Sequence, residues 1–191
     1  LTAGDGPWHI TADVVIPAGV TITIEPGTTL FFENSTGITV NGCLRCEGEK
    51  YRRIHMAPTP GQSRWDGIAF SSTLADNRLN YVDMIYGDAQ GKSINIQYSR
   101  ATLDHMTWVS TNGTTQILDM SHPSALITHC VLPSIGGTET VHGTGLSGNE
   151  YLIFEGNTFG STTGYNDIVD FTGGQRPGPI IQFYNNTFMG G

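Results

Sequence analysis

Basic residues are scarce in this 191-residue chain, which has nine Lys and Arg against 17 Asp and Glu and a formal net charge of −8. Lysine occurs only at Lys50 and Lys92, and the largest basic cluster is the pair Arg52 and Arg53. Nucleic acids and anionic membrane surfaces bind concentrated positive charge, so we expect neither as a partner. No apolar run approaches the roughly 18 residues of a membrane-spanning helix, and we expect no membrane span.

Signals for helices are missing as well. No apolar stripe with the helical period of about 3.6 residues persists along the chain. Instead, Val, Ile, Phe, Tyr and Thr alternate with polar residues, and the alternating runs are separated by corners rich in Gly, Asn, Ser and Pro. The chain contains 25 Gly and nine Pro, which is typical of many short strands joined by tight turns. The sequence therefore predicts an all-β fold.

Cysteine is too rare to define a metal site or a disulfide framework. The three cysteines are Cys43, Cys46 and Cys130, and the second Cys pair that would make a zinc site specific is absent. On a straight strand, Cys43 and Cys46 point to opposite faces, so a bridge between them also needs a bend. We interpret them as two small stacking residues and one buried thiol.

A phrase ending in Asn-Thr-Phe occurs twice, as YLIFEGNTF at 151–159 and as IIQFYNNTF at 180–188. Segments with the same apolar alternation begin at residues 78, 101 and 125, so the successive spacings are 23, 24, 26 and 29 residues. A period of about 20 to 30 residues indicates a stacked array. Each unit is too small to bury its apolar face alone, so we expect it to wind into a coil that the next coil covers.

The repeating frame predicts which side chains stack on adjacent coils. Asn157 and Asn186 occupy the same position in the frame and are expected to form a structural stack, in which each side chain bonds its neighbour and the turning backbone. His105 and His129 also share a position, and we interpret this pair as structural. The frame further predicts that Leu103, Ile127 and Ile153 point inward.

The first half of the chain carries the most specific resemblance. VTITIEPGTTLFF, ITVNGCLRCEG and WDGIAF are similar to the opening coils of right-handed parallel β-helix proteins of the pectate-lyase-like superfold. The likeness is closest to β-helix segments of large secreted surface proteins. It implies one β-helix domain over residues 1–191, with roughly eight coils. Because this superfold hosts lyases, hydrolases, esterases, adhesins and structural spans, the fold alone does not define the function.

Several features predict an extracellular or cell-surface location. The chain starts at Leu1 without Met or an apolar signal core, so we expect a processed mature protein or a fragment of a longer one. Lysine is rare, and three acceptor triplets for N-glycosylation begin at Asn34, Asn112 and Asn185. Asn112 lies in a Gly-containing corner and is the favoured acceptor, whereas Asn185 adjoins the expected asparagine stack.

The segment YNDIVDFTGGQRPGP is the strongest candidate for a metal site. Asn166, Asp167 and Asp170 could offer oxygen ligands to calcium, which takes about six to eight. The resemblance implies a lyase-like role in which Arg176 would neutralise or deprotonate an acidic sugar. However, the motif supplies too few ligands, and Asp167 and Asp170 face opposite ways unless a corner falls between them. Calcium therefore stays an open prediction, and no other cofactor is expected.

No catalytic constellation can be assembled from the sequence. Paired carboxylates suited to glycoside hydrolysis are not evident, and Asp66 and Asp83 lack an identifiable partner. A sugar-binding groove would need aromatic and charged side chains along one sheet, and the candidates are Tyr81, Tyr98, Arg100 and Trp108.

The sequence thus favours a non-enzymatic extracellular structural β-helix, a building block of a surface protein or filament. The alternative is a carbohydrate-binding module or a lyase-like or hydrolase-like enzyme acting on extracellular polysaccharide. The expected partners are further copies or further domains at the coil ends, together with glycans. An uncovered last coil at 180–188 would expose unpaired backbone groups, so we expect this segment to be covered in the native assembly.

Overall fold

The computed structural model describes residues 1–109, 114–162 and 167–190, and these residues form short strands without a helix. The strands are β1 (Trp8–Ile10), β2 (Val14–Ile16), β3 (Thr21–Ile24), β4 (Thr29–Phe32), β5 (Ile38–Val40), β6 (Cys43–Glu47), β7 (Ile54–Pro58), β8 (Ile68–Ser71), β9 (Asn77–Asn80), β10 (Val82–Ile85), β11 (Lys92–Gln97), β12 (Arg100–Asp104), β13 (Thr107–Val109), β14 (Gln116–Ser121), β15 (Ser124–Thr128), β16 (Val131–Leu132), β17 (Val141–Thr144), β18 (Tyr151–Glu155), β19 (Thr158–Phe159), β20 (Val169–Thr172), β21 (Ile180–Tyr184) and β22 (Thr187–Phe188).

Every third strand joins the same sheet, and the strands within each sheet pair in parallel. Sheet A contains the eight strands from β1 to β22, sheet B the seven from β2 to β20, and sheet C the seven from β3 to β21. The chain therefore winds through the three sheets once per turn and forms a parallel β-solenoid of about seven turns, close to the coil number predicted. The described residues contain no helix long and apolar enough to cross a membrane.

The corner that follows each of the last five sheet C strands, β9, β12, β15, β18 and β21, bends at one residue with a left-handed backbone. Tyr81, His105, His129 and Asn185 have φ values of 48°, 53°, 52° and 52°, and Gly156 has 65°. Residues other than glycine adopt this region uncommonly, although Asn and His do so more often than most, and contacts between coils hold them there. The Tyr81 amide donates a hydrogen bond to the backbone oxygen of Asp104, and the His105 amide donates one to the backbone oxygen of Thr128, both at 2.9 Å. Each bend thus stays within the hydrogen-bond ladder between coils.

Aligned apolar side chains fill the interior of the solenoid, one from each strand. In sheet C, a single row runs through six side chains that are each at most 1% exposed: Ile24, Cys46, Leu79, Leu103, Ile127 and Phe154. Neighbouring coils bury one another's apolar surface at roughly 25 cal/mol per Å². Winding therefore solves the burial problem that no single coil can solve.

The prediction that Ile153 points inward is wrong. Leu103 and Ile127 are buried as predicted, but Ile127 pairs with Phe154, and Ile153 lies half-buried on the outer face of sheet C. The predicted frame aligned residue 125 with 151, whereas the structure aligns Ala125 with Leu152. A slip of one residue exchanges the two faces of a strand.

Of the two predicted stacks, the histidine stack lies on the outer surface of the coil and the asparagine stack lies in its interior. The rings of His105 and His129 stack with centroids 4.7 Å apart, as predicted, and Tyr81 extends the ladder at 4.4 Å from His105. Inside, Nδ2 of Asn157 donates to Oδ1 of Asn186 at 3.0 Å. The histidine ladder is therefore a surface feature, and the asparagine contact closes an interior corner.

All three cysteines are unpaired and buried. Burial raises the pKa of the Cys130 thiol to about 12 and raises that of Cys46 further. The Cys43 thiol donates to the backbone oxygen of Asp76 at 3.4 Å. Because the nucleophilic and metal-binding form of cysteine is the thiolate, burial keeps Cys46 and Cys130 inert and supports their interpretation as packing residues.

Candidate functional site

A row of polar side chains crosses the outer face of sheet B. Asn95, Asp119, His142 and Asp170 occupy aligned positions on the consecutive strands β11, β14, β17 and β20. Neighbouring strands lie about 4.8 Å apart, so side chains in this row can contact one another from coil to coil. We call these four residues the polar row.

Asp119 is the electrostatic centre of the polar row. One of its carboxylate oxygens contacts the ammonium of Lys92, and the other lies 2.9 Å from Nδ1 of His142. Burial opposes ionisation, but the hydrogen bonds from Lys92 and His142 outweigh it, and the pKa of Asp119 is lowered. The carboxylate is therefore held ionised between two basic groups.

A concavity of about 390 Å³ adjoins Lys92 and Asn95 at one end of the polar row. Asp13, Asp66 and Gln90 also line it. The Asp13 carboxylate accepts a hydrogen bond from the Gly37 amide at 3.0 Å, and Asp66 accepts one from Gln90 at 3.1 Å. The lining is thus rich in polar groups, and Oδ1 of Asp66 and Oδ1 of Asn95 are buried without a hydrogen-bond partner among the described residues.

Glycine shapes the floor of this concavity. Gly67 has a φ of +84°, and a Cβ there would lie 2.4 Å from the backbone oxygen of Ser93 on the next coil. Only glycine fits a left-handed position with so close a backbone neighbour. The depth of the concavity therefore follows from close backbone contact between coils.

The polar row does not assemble a recognisable catalytic centre. Asp119 orients His142 as a carboxylate orients a general base, but no hydroxyl or thiol in the described ranges is hydrogen-bonded to that histidine. Lys92 is engaged by Asp119, and a lysine base would have to be free and neutral. The geometry supports polar binding or inter-coil clamping better than bond cleavage.

A second polar cluster lies on the outer face of sheet A, beside the corner that leads in from sheet C. Asp83 accepts hydrogen bonds from Arg53 at 2.7 Å and from Thr107 at 2.5 Å, and its other oxygen lies 3.1 Å from Nδ1 of His55. Burial raises the pKa of Asp83, but the contacts with Arg53, Thr107 and His55 lower it by more, so that the pKa lies below its usual value. The Arg53 guanidinium also lies over the Tyr81 ring, 5.6 Å from its centroid, so it begins the Tyr81, His105 and His129 ladder.

The residues predicted to bind calcium are only partly described. Asn166 lies outside the described residues, Asp167 is exposed just before β20, and Asp170 lies half-buried on the outer face of β20 beside His142. Asp170 therefore belongs to the polar row. Calcium at Asn166, Asp167 and Asp170 stays a prediction.

The predicted glycosylation sites differ in their surroundings. Asn34 is exposed in a turn after β4, and Asn185 is exposed at a left-handed corner after β21. Asn112 lies outside the described residues. Glycan attachment at these positions stays a prediction.

The four residues proposed for a sugar-binding groove do not share a surface. Trp108 is 6% exposed and packs inside the solenoid, because its β13 position faces inward. Tyr98 follows β11 at the corner between sheets B and C, Tyr81 occupies the corner between sheets C and A, and Arg100 begins β12 in sheet C. The prediction that they contribute to one groove is therefore wrong.

Sequence reasoning missed the partners of two carboxylates. Asp83 is surrounded by Arg53, His55 and Thr107, and Asp66 bonds Gln90, although both lacked an identifiable partner in the sequence. His55, Asp83 and Thr107 are directly aligned on β7, β10 and β13. Applying the coil period to polar residues as well as to apolar ones would have brought them together.

Comparisons with family models, curated proteins and solved structures found no match to this chain. The architecture by itself defines the class, which is a parallel β-solenoid with three sheets.

The lowered pKa of Asp119 predicts how the free energy of unfolding depends on pH. Its pKa is lowered in the folded chain and lies near 3.9 when a chain is unfolded. The contribution is therefore complete above about pH 4 and is lost as pH falls through the folded value. We expect Asp119→Asn to make the free energy of unfolding less dependent on pH below about 4, as measured by urea denaturation across pH 2–6.

Asp167→Asn is the matched control because Asp167 is exposed. An unchanged pH dependence in Asp119→Asn would show that its ion pairs with Lys92 and His142 do not stabilise the fold.

Proposed function

We propose that this chain is a structural β-solenoid without enzymatic activity, and that the face of its last coil packs against a further coil. The observation that supports this proposal is the exposure of inward-facing aromatic residues at that end. Phe154 and Phe159 are fully buried, whereas Phe183 and Phe188, at the same positions one coil later, are 40% and 49% exposed.

The aromatic stacking continues up to that face. Phe154 and Phe183 stack with centroids 4.7 Å apart and ring planes at 5°, and Phe159 and Phe188 repeat both values. A further coil with apolar side chains at these positions would cover the outer ring faces as each earlier coil covers the one before. The expected gain is about 25 cal/mol per Å² of apolar surface removed from water.

The backbone supports the same role. The strands β20, β21 and β22 end their sheets, and a terminal strand presents unpaired donors and acceptors to any strand that can add to it. A second copy of the chain or a neighbouring domain could supply that strand. Head-to-tail addition of copies that does not close would produce a filament.

We further propose that the solenoid belongs with pectate-lyase-like β-helices of secreted surface proteins and lies outside the cell. The resemblance of the opening segments supports this assignment, because VTITIEPGTTLFF, ITVNGCLRCEG and WDGIAF contribute β3 to β6 and β8 on successive coils. Low lysine content and the Asn34 and Asn185 triplets agree with such a location.

A sugar-binding or polysaccharide-cleaving role receives less support. Sugar-binding grooves combine aromatic platforms with polar groups, and the described residues that line the concavity beside Lys92 include no aromatic side chain. No hydroxyl or thiol of the described residues is hydrogen-bonded to His142, and Lys92 is engaged by Asp119. We therefore propose the structural role alone.

A paired substitution on β21 tests this proposal. Phe183 faces inward and Tyr184 faces outward, and they have similar exposures of 40% and 46%. We expect the chain to associate as concentration rises, and Phe183→Arg to weaken association at least about tenfold because a charge cannot enter an apolar contact. Tyr184→Arg is the control and should change it little.

Light scattering after size-exclusion chromatography would measure association, and electron microscopy would reveal filaments. A folded chain that remains monomeric at millimolar concentration would rule out a second copy as the source of the covering coil. Equal weakening by Phe183→Arg and Tyr184→Arg would contradict the proposal, since the contact would not follow the interior rows.

A further inference from the structure

Two histidines and a carboxylate converge on one edge of the surface ladder. Asp104 is the last residue of β12, His105 follows it at the corner, and His129 occupies the equivalent corner one coil later. Nδ1 of His105 lies 2.9 Å from Oδ2 of Asp104, and Nδ1 of His129 lies 3.2 Å from Oδ1. The ligand atoms of all three residues lie within 4.8 Å of one another.

The left-handed corners produce this convergence. His105 and His129 have φ values of 53° and 52°, so the two rings leave the backbone in the same direction and stack with an interplanar angle of 23°. Thr128 donates its hydroxyl to Oδ1 of Asp104 at 2.6 Å, which fixes the carboxylate beside the Nδ1 atoms of the two rings. Backbone geometry and a neighbouring side chain thus pre-orient the cluster.

We propose that Asp104, His105 and His129 form a binding site for a divalent first-row transition ion, with Zn²⁺ as the representative. In coordination shells with metal–ligand distances near 2.1 Å, adjacent donor atoms lie about 3.0 to 3.4 Å apart. The two observed nitrogen–oxygen separations, 2.9 and 3.2 Å, are close to this range. The two imidazole rings stack nearly in parallel with centroids 4.7 Å apart, so an ion held in the plane of both rings would require the rings to turn toward it.

The donor set selects the class of ion. Two imidazole nitrogens and one carboxylate suit Zn²⁺, Ni²⁺ or Cu²⁺, whereas Ca²⁺ and Mg²⁺ require shells made largely of oxygen. Three protein ligands leave at least one coordination position for water. The His129 side chain is 53% exposed, so an ion can reach the site from solvent.

Of the other carboxylates that contact histidine, Asp119 and Asp83 are also paired with Lys or Arg, whereas Glu33 contacts the single histidine His9. Asp119 contacts Lys92 as well as His142, and Asp83 contacts Arg53 as well as His55. Among the described residues, the ion pairs of Asp104 are with histidines alone. Histidine can lose its proton near neutral pH and become a ligand, but Lys and Arg cannot do so readily.

The positive charge of Arg53, which lies close to His105, would repel a cation bound at this site. Its guanidinium bonds Asp83 at 2.7 Å and the backbone oxygen of His105 at 2.8 Å. The Asp83 carboxylate therefore offsets its charge, and its contact with His105 is to the backbone rather than to the imidazole. The site needs no rearrangement of Arg53.

Zinc titration of the chain provides the test. Protein without a polyhistidine tag would be treated with chelator and titrated calorimetrically with Zn²⁺ near pH 7.5. We expect one site that Ca²⁺ does not occupy. Both His105→Asn and His129→Asn should weaken Zn²⁺ binding at least about tenfold, since each removes a ligand and asparagine tolerates the left-handed corner.

His122→Asn is the matched control. His122 also lies at a left-handed corner, with a φ of 50°, and stacks on Tyr98 at 4.3 Å, but its Nδ1 contacts Ser121 rather than a carboxylate. Zn²⁺ should retain its affinity for this variant. In the parent chain, Zn²⁺ should shift the imidazole proton resonances of His105 and His129 and leave those of His122 in place.

Asp104→Asn gives an independent variant that keeps the side-chain shape, and it should also weaken binding. Circular dichroism would establish that each variant retains the β-rich fold. The proposal is overturned if millimolar Zn²⁺ does not bind, or if His122→Asn weakens binding as much as His129→Asn does. Displacement of bound Zn²⁺ by an equal concentration of Ca²⁺ would also overturn it.

Discussion

Phe154→Ala is expected to destabilise the solenoid by about 3 to 5 kcal/mol, the usual cost of truncating a buried aromatic residue. Phe154 is fully buried, and its ring stacks on Phe183 and contacts Phe159 and Phe171. Removing it leaves a cavity between coils that the aligned rows cannot readily close. Urea denaturation followed by circular dichroism would measure the change in the free energy of unfolding.

Ile153→Ala is the control, because Ile153 precedes Phe154 on β18 and its side chain points outward. Its expected cost is about 1 kcal/mol or less, since it loses strand propensity and partial burial but creates no interior cavity. If Ile153→Ala were the more damaging substitution, the register of β18 would be shifted by one residue. The pair therefore tests the fold at the position where the sequence was interpreted incorrectly.

The sequence was sufficient for the solenoid because two independent patterns agreed. Alternating apolar residues predicted strands, and the repeat at about one coil length predicted their stacking. In ATLDH, the polar residues Thr102 and Asp104 flank Leu103. Because side chains alternate between the two faces of a strand, Leu103 is assigned to the inner face without ambiguity. The histidines at the following corner were correctly paired for the same reason.

The register of β18 could not be read as reliably. Leu152, Ile153 and Phe154 are consecutive apolar residues, so alternation does not distinguish the two faces. The predicted frame was anchored on the Asn-Thr-Phe phrase, which aligns 151–159 with 180–188 but gives no information about the coil before it. The lengths of the intervening corners decide that alignment, and these lengths vary.

The ion pairs of Lys92 and Arg53 were harder to predict because they cross coils diagonally. Lys92 pairs in register with Gln116, yet its ammonium reaches Asp119 three residues further along β14. Arg53 precedes β7 and reaches Asp83 on β10. Long side chains choose among several neighbours on the outer faces, and the coil period alone does not select one.

Asn157→Ala is the second substitution with a large expected effect. Asn157 is 1% exposed; its Oδ1 accepts a hydrogen bond from the Cys130 amide, and its Nδ2 donates to the Ile127 carbonyl, both at 2.9 Å. Alanine would leave both backbone groups buried without these partners. At about 1 to 3 kcal/mol for each unsatisfied group, we expect a total loss of roughly 2 to 6 kcal/mol.

Asn186→Ala is the control, because Asn186 makes the same type of hydrogen bond as Asn157 but is less buried. Asn186 repeats the same bond one coil later, with Nδ2 donating to the Phe154 carbonyl at 2.9 Å, but it is only half-buried near the open face. Water can replace its side chain there, so we expect a smaller loss of unfolding free energy. Equal losses in the two variants would contradict this reasoning, because the cost would then come from the corner conformation that the asparagines share and not from buried groups left unpaired.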